Sequence, residues 1–160
     1  MIYLDHAATT PIPAAVAEEM MTALTQFANP SAQYPMGQEA KKQVEERRAV
    51  IAEVNRLIDE KKYDGVVDRL LPHAEQGYAP AQARLGRCYY NGYGVTKDRN
   101  KGREWFRKAA EQNDPCGLNG MGICYAHGIG SEINYEKAVE YYRKAAEKGG
   151  ILAIGNLADY

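Results

Sequence analysis

Hydrophobic residues in the second half of the chain recur at the spacing of an α-helix. Ala81, Leu85 and Cys88 stand at i, i+4 and i+7, which places them on one face of a helix. Further along, the aromatic pair Trp105 and Phe106 precedes two small alanines, so large side chains fill the space between helices and small ones let the backbones approach. The pattern predicts two helices that pack against each other.

Glycine and short polar residues mark the ends of these helices. Gly92 and Gly94 follow the first helix, and glycine enters the left-handed backbone region without a Cβ clash. Asp98, and Asn134 in the next unit, stand where a short polar side chain caps the free amides of the second helix. We therefore predict a tight turn between the helices.

The whole pattern returns after 36 residues, and 12 positions are identical between 79–114 and 115–150. A fixed period of this size indicates a repeat array, in which each unit buries its apolar face against its neighbours. We predict an all-α fold, a right-handed α-solenoid of helix-turn-helix repeats. Its units are a half unit at 62–78, full units at 79–114 and 115–150, and a partial unit at 151–160.

The repeated segments resemble the Sel-1-like repeat, a relative of the tetratricopeptide repeat. The first full unit matches that pattern at Ala81, Leu85, Gly86, Tyr89, Gly92, Gly94, Val95, Asp98, Lys101, Trp105 and residues 108–112. The resemblance implies a non-catalytic scaffold that binds a protein or peptide in its groove. Gly102 departs from the pattern, which usually has alanine there, and glycine inside a helix should cost about 1 kcal/mol.

The last residues begin the first helix of a further unit. Its apolar side chains have no second helix to cover them: Ile151, Leu152, Ile154 and Leu157. Solenoids normally finish with a polar cap. We therefore expect that the chain is part of a longer array, or that it associates with itself through this uncapped end.

Residues 1–61 differ in character and are predicted to form a mostly helical N-terminal extension. A short strand is predicted at 1–4, a helix at 13–26, and a longer helix from Gln38 to about Lys61. The longer helix carries apolar residues at helical spacing: Ala40, Val44, Ile51, Val54, Leu57 and Ile58.

The long helix precedes a helix predicted at 64–76, which would otherwise lack a partner. We predict that the long helix caps the solenoid by burying its apolar stripe on Val66, Val67, Leu70 and Leu71. Pro72 lies inside the predicted 64–76 helix, so a kink or a loose turn is expected near Asp68.

The start of the chain is similar to the opening of a cysteine desulfurase, a pyridoxal-phosphate-dependent enzyme of the class V aminotransferase fold. The matching residues are 3–11, Asn29-Pro30-Ser31, Gly37, Glu39, Ala40, Val44 and Glu45. Ala32 and Tyr34 depart from the family, which usually has serine and histidine there. The resemblance ends near Val54.

The desulfurase chemistry needs a lysine amine for the cofactor, an acidic partner for the pyridinium nitrogen and a phosphate cradle. Beyond residue 55 the sequence has no Gly-rich phosphate loop and no His-Lys pair. We therefore expect shared ancestry without enzymatic activity and without a cofactor. The alternative is an inactive or incomplete desulfurase fragment fused to repeats, active at most with parts supplied by another chain.

The charge balance names no partner. With 20 basic and 21 acidic side chains, a net charge of −1 makes no electrostatic case for nucleic acid or an anionic membrane. No apolar run approaches the ~20 residues of a membrane span, and the first residues lack a signal-peptide pattern. Of three cysteines without a C-x-x-C pair, Cys88 and Cys124 occupy the same repeat position, where a small buried side chain suffices. We expect reduced thiols and a cytoplasmic protein.

The face left over once the core is assigned is the candidate binding surface. Arg84, Arg87 and Asn91 share one side of the first helix at i, i+3 and i+7. The same places in the next unit hold Gly120, Ile123 and His127. Stacked repeats would align these residues along one concave, partner-binding surface. The alternative is a merely solvated face.

Two pairs of residues resemble parts of a catalytic or metal site, but neither pair is sufficient for one. Asp5 and His6 are adjacent but have no nucleophile beside them. Cys124 and His127 stand at i and i+3, yet a structural zinc site needs four ligands. We therefore predict no catalytic residue, no cofactor and no metal.

Overall fold

The computed structural model describes residues 13–26 and 35–158, with side chains described for 13–22 and 38–158. Every regular element in these ranges is an α-helix, so the all-α prediction is confirmed. The strand predicted at 1–4 lies outside the described residues. The helices are α1 Ala14–Gln26, α2 Pro35–Asp59, α3 Val66–Glu75, α4 Ala79–Asn91, α5 Arg99–Glu111, α6 Pro115–Ala126, α7 Tyr135–Glu147 and α8 Ile151–Leu157.

The chain divides into two compact units, Met1–Arg48 and Ala49–Tyr160. In the described part of the first unit, small and branched side chains form a narrow core around Ala17, Ala40 and Val44. Two methionines, Met20 and Met21, pack against this cluster. The helices predicted at 13–26 and from Gln38 onward are both present, as α1 and α2.

The second unit is the predicted solenoid of helical hairpins. Each helix packs mainly on its neighbours in the chain, α3 on α4, α5 on α4 and α6, and α7 on α6 and α8. Every 36 residues the second helix of a hairpin buries one large side chain, Leu70 on α3, Phe106 on α5 and Tyr142 on α7. We call these three residues the apolar spine, because each is buried at the same repeat position, as nearest-neighbour packing in a repeat array requires.

The turn between the helices of each hairpin is closed by the same backbone bond. The Tyr93 amide donates to the Cys88 carbonyl at 2.9 Å, and the Ile129 amide donates to the Cys124 carbonyl at 2.8 Å. Gly92 ends α4 with a φ of +85°, a left-handed conformation that glycine adopts without strain. The predicted glycine turn is therefore confirmed.

Polar side chains begin the second helices as predicted. The Asp98 carboxylate accepts from the Lys101 amide at 3.0 Å, and the Asn134 side chain accepts from the Lys137 amide at 2.8 Å. Asp114 caps α6 in the same way, a cap that the pattern analysis did not identify.

The helix α3 passes through Pro72 without interruption, so the loose turn expected near Asp68 is wrong. Pro72 lies on the exposed side of the helix, where the unpaired Asp68 carbonyl can bond to water. The opposite side holds Val66, Leu70 and Ala74, all of them buried. Burial of this face outweighs the loss of one backbone hydrogen bond.

Residues 49–59, the C-terminal part of α2, belong to the second unit. Their apolar side chains Ile51, Val54 and Ile58 are buried. The Glu53 carboxylate forms an ion pair with Arg69 of α3. This segment thus contacts α3 within the second unit. The domain boundary after residue 61, and the role of the extension as a cap, remain predictions.

The helix α8 exposes the apolar residues that its position predicted. Ile151, Leu152 and Ile154 are 81%, 65% and 58% exposed. Leu157 differs from the prediction, because it packs against the cluster around Tyr142 and is only partly exposed. Self-association through this end remains a prediction.

Replacing Gly102 with alanine is expected to lower the melting temperature, although helix propensity alone predicts a gain of about 1 kcal/mol. A Cβ at Gly102 would lie 2.8 Å from the carbonyl oxygen of Gly86 and 3.0 Å from the amide nitrogen of Tyr90. Forcing α4 and α5 apart should cost about 1–3 kcal/mol, which exceeds the propensity gain.

The matched control is Gly155→Ala in α8, where an added Cβ meets nothing within 4 Å. That variant should be neutral or slightly more stable in the same thermal unfolding measurement. A rise in melting temperature for Gly102→Ala equal to that for Gly155→Ala would contradict the close approach of α4 and α5.

Candidate binding groove

A cavity of about 370 Å³ opens on the second unit, between residues of α4, α6 and α8. Four of the five predicted face residues line it: Arg84, Arg87, Asn91 and Ile123. His127 does not, because α6 ends at Ala126 and the residue that follows leaves the helical face. The structure thus brings four of the predicted residues to one cavity, which we call the groove, and their role in binding a partner remains a prediction.

Further lining residues extend the groove by one helical turn. Cys116 and Leu152 occupy the same repeat position, 36 residues apart, four places before Gly120 and its counterpart. Extending the predicted face one turn toward the start of each helix would have identified them. Asn55 of α2 also lines the groove, and it stands 36 residues before Asn91. Carrying the repeat period back into α2 would therefore have identified it.

Arg84 is fixed in place at the groove wall. Its Nε donates to Asn55 Oδ1 at 2.8 Å, and one terminal nitrogen, Nη1, donates to the Pro80 carbonyl at 3.2 Å. Arg87, one turn along α4, is exposed, and its guanidinium carbon lies 5.8 Å from the centre of the Tyr93 ring. Within the described residues, neither arginine forms an ion pair with a carboxylate.

The floor of the groove depends on a glycine. A Cβ at Gly120 would lie 2.3 Å from a ring carbon of Phe106, so only glycine lets α6 rest on that ring. Beside it, buried Asn119 accepts a hydrogen bond through Oδ1 from Asn156 Nδ2 of α8 at 2.8 Å. The floor is therefore tightly packed, and the space above it is a concave opening.

The electrostatics at the end of the groove are set by Asp114 and Cys116. Partial burial raises the pKa of Asp114, while the Gly117 amide and the Arg84 guanidinium oppose the rise. Partial burial and the neighbouring Asp114 carboxylate raise the pKa of Cys116, against the lowering effect of Arg84. A thiol with a raised pKa is a poor nucleophile at neutral pH.

We expect one of the three cysteines to react with a fluorescent maleimide at pH 8 in the folded protein, and all three in denaturant. Cys116 is exposed, whereas Cys88 and Cys124 are fully buried, and burial raises the pKa of both to about 11. Mass spectrometry counts the labels. Cys116→Ser is the control, and native labelling of that variant would contradict the burial of the other two.

Comparison with known proteins identifies the repeats. A family model described as Sel1 repeat matches residues 79–114 and 117–150. These residues are Sel1 repeats. The second unit is thus an array of helical hairpins that contains two repeats of this type, and the partial units on either side of them remain predictions.

Solved structures support the same fold. A Sel1 repeat protein from Oxalobacter formigenes superposes with a TM-score of 0.58 at 29% identity, covering 90% of this chain and 58% of that one. The antigen c5321 of uropathogenic Escherichia coli, which displays an SLR fold, gives a TM-score of 0.58 at 27% identity, covering 88% of this chain and 35% of that one. This chain therefore spans between a third and three fifths of the length of these Sel1-type proteins.

The N-terminal segment matches a different family. A model for class V aminotransferases covers residues 2–62. A cysteine desulfurase of Frankia sp. (strain EuIK1) is 49% identical over 53 residues, which are 32% of this chain and 13% of that protein. The chain thus spans about an eighth of the length of this relative.

The described residues of that segment do not fit pyridoxal phosphate. Its lysines at 41, 42, 61 and 62 are all exposed. Lys41 and Lys42 lie near the carboxylates one turn further along α2, at 4.0 and 3.9 Å. A lysine that forms a Schiff base needs a desolvated or otherwise activated amine, which solvated surface pairs do not provide. The desulfurase motif at 3–11, with Asp5 and His6, lies outside the described residues.

Two further sequence predictions concern metals and membranes. In the described part of the chain, no three residues among His, Cys, Asp and Glu are placed to share a metal ion. Cys124 is fully buried, whereas His127 is exposed, so these two residues lie in different environments. The helices in the described ranges also lack the length and apolar character that crossing a membrane requires.

Proposed function

We propose that the chain is a non-catalytic scaffold that binds a protein or peptide segment in the groove of its Sel1 repeats. The observation that supports this is the convergence of Arg84, Arg87, Asn91 and Ile123, selected by repeat spacing alone, on one concave cavity. Specific recognition sites combine an apolar surface with a few polar groups that fix orientation. The groove has both, in residues from neighbouring repeats.

Binding fits the groove better than catalysis does. Among its described lining residues, Cys116 is the one side chain of nucleophile type, and its pKa is raised. An activated thiol needs a lowered pKa and a base within hydrogen-bond reach, and the lining residues include no histidine or carboxylate. The same surface presents fixed hydrogen-bond donors and uncovered aliphatic side chains, which serve association.

The test uses a displayed library of random peptides, each about ten residues long, panned against the purified protein. We expect enrichment above background that disappears when the Cys116 thiol carries a bulky maleimide, because the label would fill the groove. The matched control carries the same label at an exposed site outside it, in the double variant Cys116→Ser, Ser131→Cys. Equal enrichment with the protein labelled at Cys116 would show that peptides bind outside the groove and would contradict the proposal.

The second candidate is an incomplete desulfurase fragment, favoured by the 49% identity of its 53 matched residues. If the segment held the cofactor as an aldimine, the purified protein mixed with pyridoxal phosphate would be yellow and would keep an absorption band after gel filtration. We expect a colourless protein, with cofactor eluting separately. A retained band would support the fragment and argue against a purely structural role for residues 1–61.

A further inference from the structure

We propose that the groove selects an acidic segment, a short peptide that carries an aspartate or glutamate side chain next to an aliphatic one. This inference rests on the proposed function and names the chemistry of its ligand. It depends on two features that lie side by side: two arginines that form no ion pair among the described residues, and an aliphatic wall that no described helix covers.

The charge of the groove is one-sided. Arg84 and Arg87 are the charged residues among those that line it, with no aspartate, glutamate or lysine. The nearby Asp114 carboxylate accepts from the Gly117 amide at 2.8 Å, and Arg84 lowers its pKa without forming an ion pair with it; Asp114 does not line the groove. A concave surface with charge of a single sign concentrates its field and attracts the opposite charge. A carboxylate on the ligand would supply the missing partner.

Arg84 is prepared for this role. Its bonds to Asn55, to the Pro80 carbonyl and to the Cys116 thiol engage three donors and hold the guanidinium plane. A guanidinium has five N–H donors in a fixed fork, so donors remain for a carboxylate, and little side-chain freedom is lost on binding. The exposed Arg87 adds a second cation one turn away on the same helix face.

The aliphatic wall sets the second requirement. Ile151 and Leu152 of α8 line the groove although they are largely exposed, and half-buried Ile123 faces the same space. Uncovered apolar side chains next to polar groups are typical of binding sites. They would accept an aliphatic side chain of the ligand beside its carboxylate.

These features favour a peptide over a nucleic acid. Binding of single-stranded nucleic acid combines several phosphate contacts with aromatic faces on which bases stack. The groove offers two cations, and its largely exposed side chains are aliphatic. Its aromatic lining residues are the buried Phe106 and the half-buried Tyr90, so neither ring is fully open for a base to stack on. An acidic and aliphatic peptide uses both features at once.

The test measures fluorescence anisotropy with three pools of labelled synthetic peptides. The pools share random aliphatic positions and differ at one set of positions, which hold glutamate, glutamine or lysine. We expect the glutamate pool to bind about tenfold more tightly than the glutamine pool, since hydrogen bonds to charged groups exceed neutral ones, and the lysine pool to bind least. Added salt should narrow the difference between pools.

Variants of the protein then assign the selectivity to residues. Arg87→Glu, at an exposed position, should remove the preference for glutamate, and the double variant Arg84→Glu, Arg87→Glu should favour the lysine pool. Arg107→Glu is the matched control, because Arg107 is exposed on α5 and outside the groove. Circular dichroism shows whether each variant is folded. If the double variant does not fold, the result for Arg87→Glu alone decides the test.

Each alternative outcome is informative. Equal binding of the glutamate and glutamine pools, abolished by the label on Cys116, would overturn the acidic preference and leave the scaffold proposal standing. No binding by any pool, together with no enrichment from the displayed library, would end both proposals. Binding of an oligothymidine probe in place of the peptides, lost in Arg87→Glu, would overturn the peptide assignment.

Discussion

A chain that begins at residue 62 is expected to lose cooperative unfolding, whereas a chain that begins at Ala49 is expected to keep it. Residues 49–59 bury Ile51, Val54 and Ile58 within the second unit. At roughly 1.5–3 kcal/mol for each buried aliphatic side chain, their loss approaches the ~5–15 kcal/mol stability of a whole domain.

The deletion also exposes surface that cannot find another partner. Val66 and Leu70 on α3 are fully buried in the intact chain, and the ion pair between Glu53 and Arg69 would be absent. The two truncated chains are compared by thermal unfolding followed by far-ultraviolet circular dichroism. Equal melting temperatures would show that residues 49–61 do not cap the repeats.

Replacing Phe106 with alanine is expected to lower the free energy of unfolding by about 3–5 kcal/mol, the range for large aromatic side chains in a core. The ring is 5% exposed and lies against two glycines, Gly86 of α4 and Gly120 of α6. Its removal leaves a cavity at the junction of two hairpins, and the backbones on either side have no side chain at these glycines to fill it.

The neighbouring residue provides the matched control. Trp105 is larger, yet it lies half-exposed on the same helix, with the Lys108 ammonium 4.1 Å from the centre of its ring. Trp105→Ala should therefore cost far less than Phe106→Ala, despite the greater side-chain volume. Urea unfolding of the two variants at one temperature compares them, and a larger loss for Trp105→Ala would contradict the position of Phe106 in the spine.

The contrast between these residues shows where sequence reasoning stopped. The pattern indicated that the pair Trp105 and Phe106 fills the space between helices, but only Phe106 does so fully. Adjacent residues on a helix point about 100° apart. The neighbouring helices decide which of two adjacent aromatics reaches the core. The available signal lay 36 residues earlier, where Arg69 aligns with Trp105 and Leu70 aligns with Phe106.

For Gly102, the sequence predicted a destabilising residue, whereas the structure shows a position where two helices pack closely. Helix propensity predicts that glycine destabilises a helix at this position, and propensity takes no account of neighbouring helices. The structure places it where the backbones of α4 and α5 meet, against the carbonyl of Gly86. In the next hairpin the equivalent Ala138 is fully buried, so the repeat pattern tolerates either residue and only the local spacing of two helices distinguishes them.

The groove was partly predictable for a physical reason. Residues spaced at i, i+3 and i+7 share a helix face, and a fixed period carries that face from repeat to repeat, which led to Arg84, Arg87 and Ile123. This reasoning fails at the end of a helix, because His127 follows the last residue of α6 and does not line the groove. Asn55 lay within reach of the same reasoning, because it stands one repeat period before Asn91, although the predicted face began only at Arg84.

By itself, the sequence determined the helices, the glycine turns, the polar caps at Asp98 and Asn134 and the repeated core, because these follow from the local periodicity and chemistry of neighbouring residues. Tertiary structure alone decided that the Phe106 ring fills the core, that Gly102 allows α4 and α5 to approach, and which groups hold Arg84 at the groove wall. Those outcomes depend on distances between segments far apart in the chain, which are set only when whole helices pack.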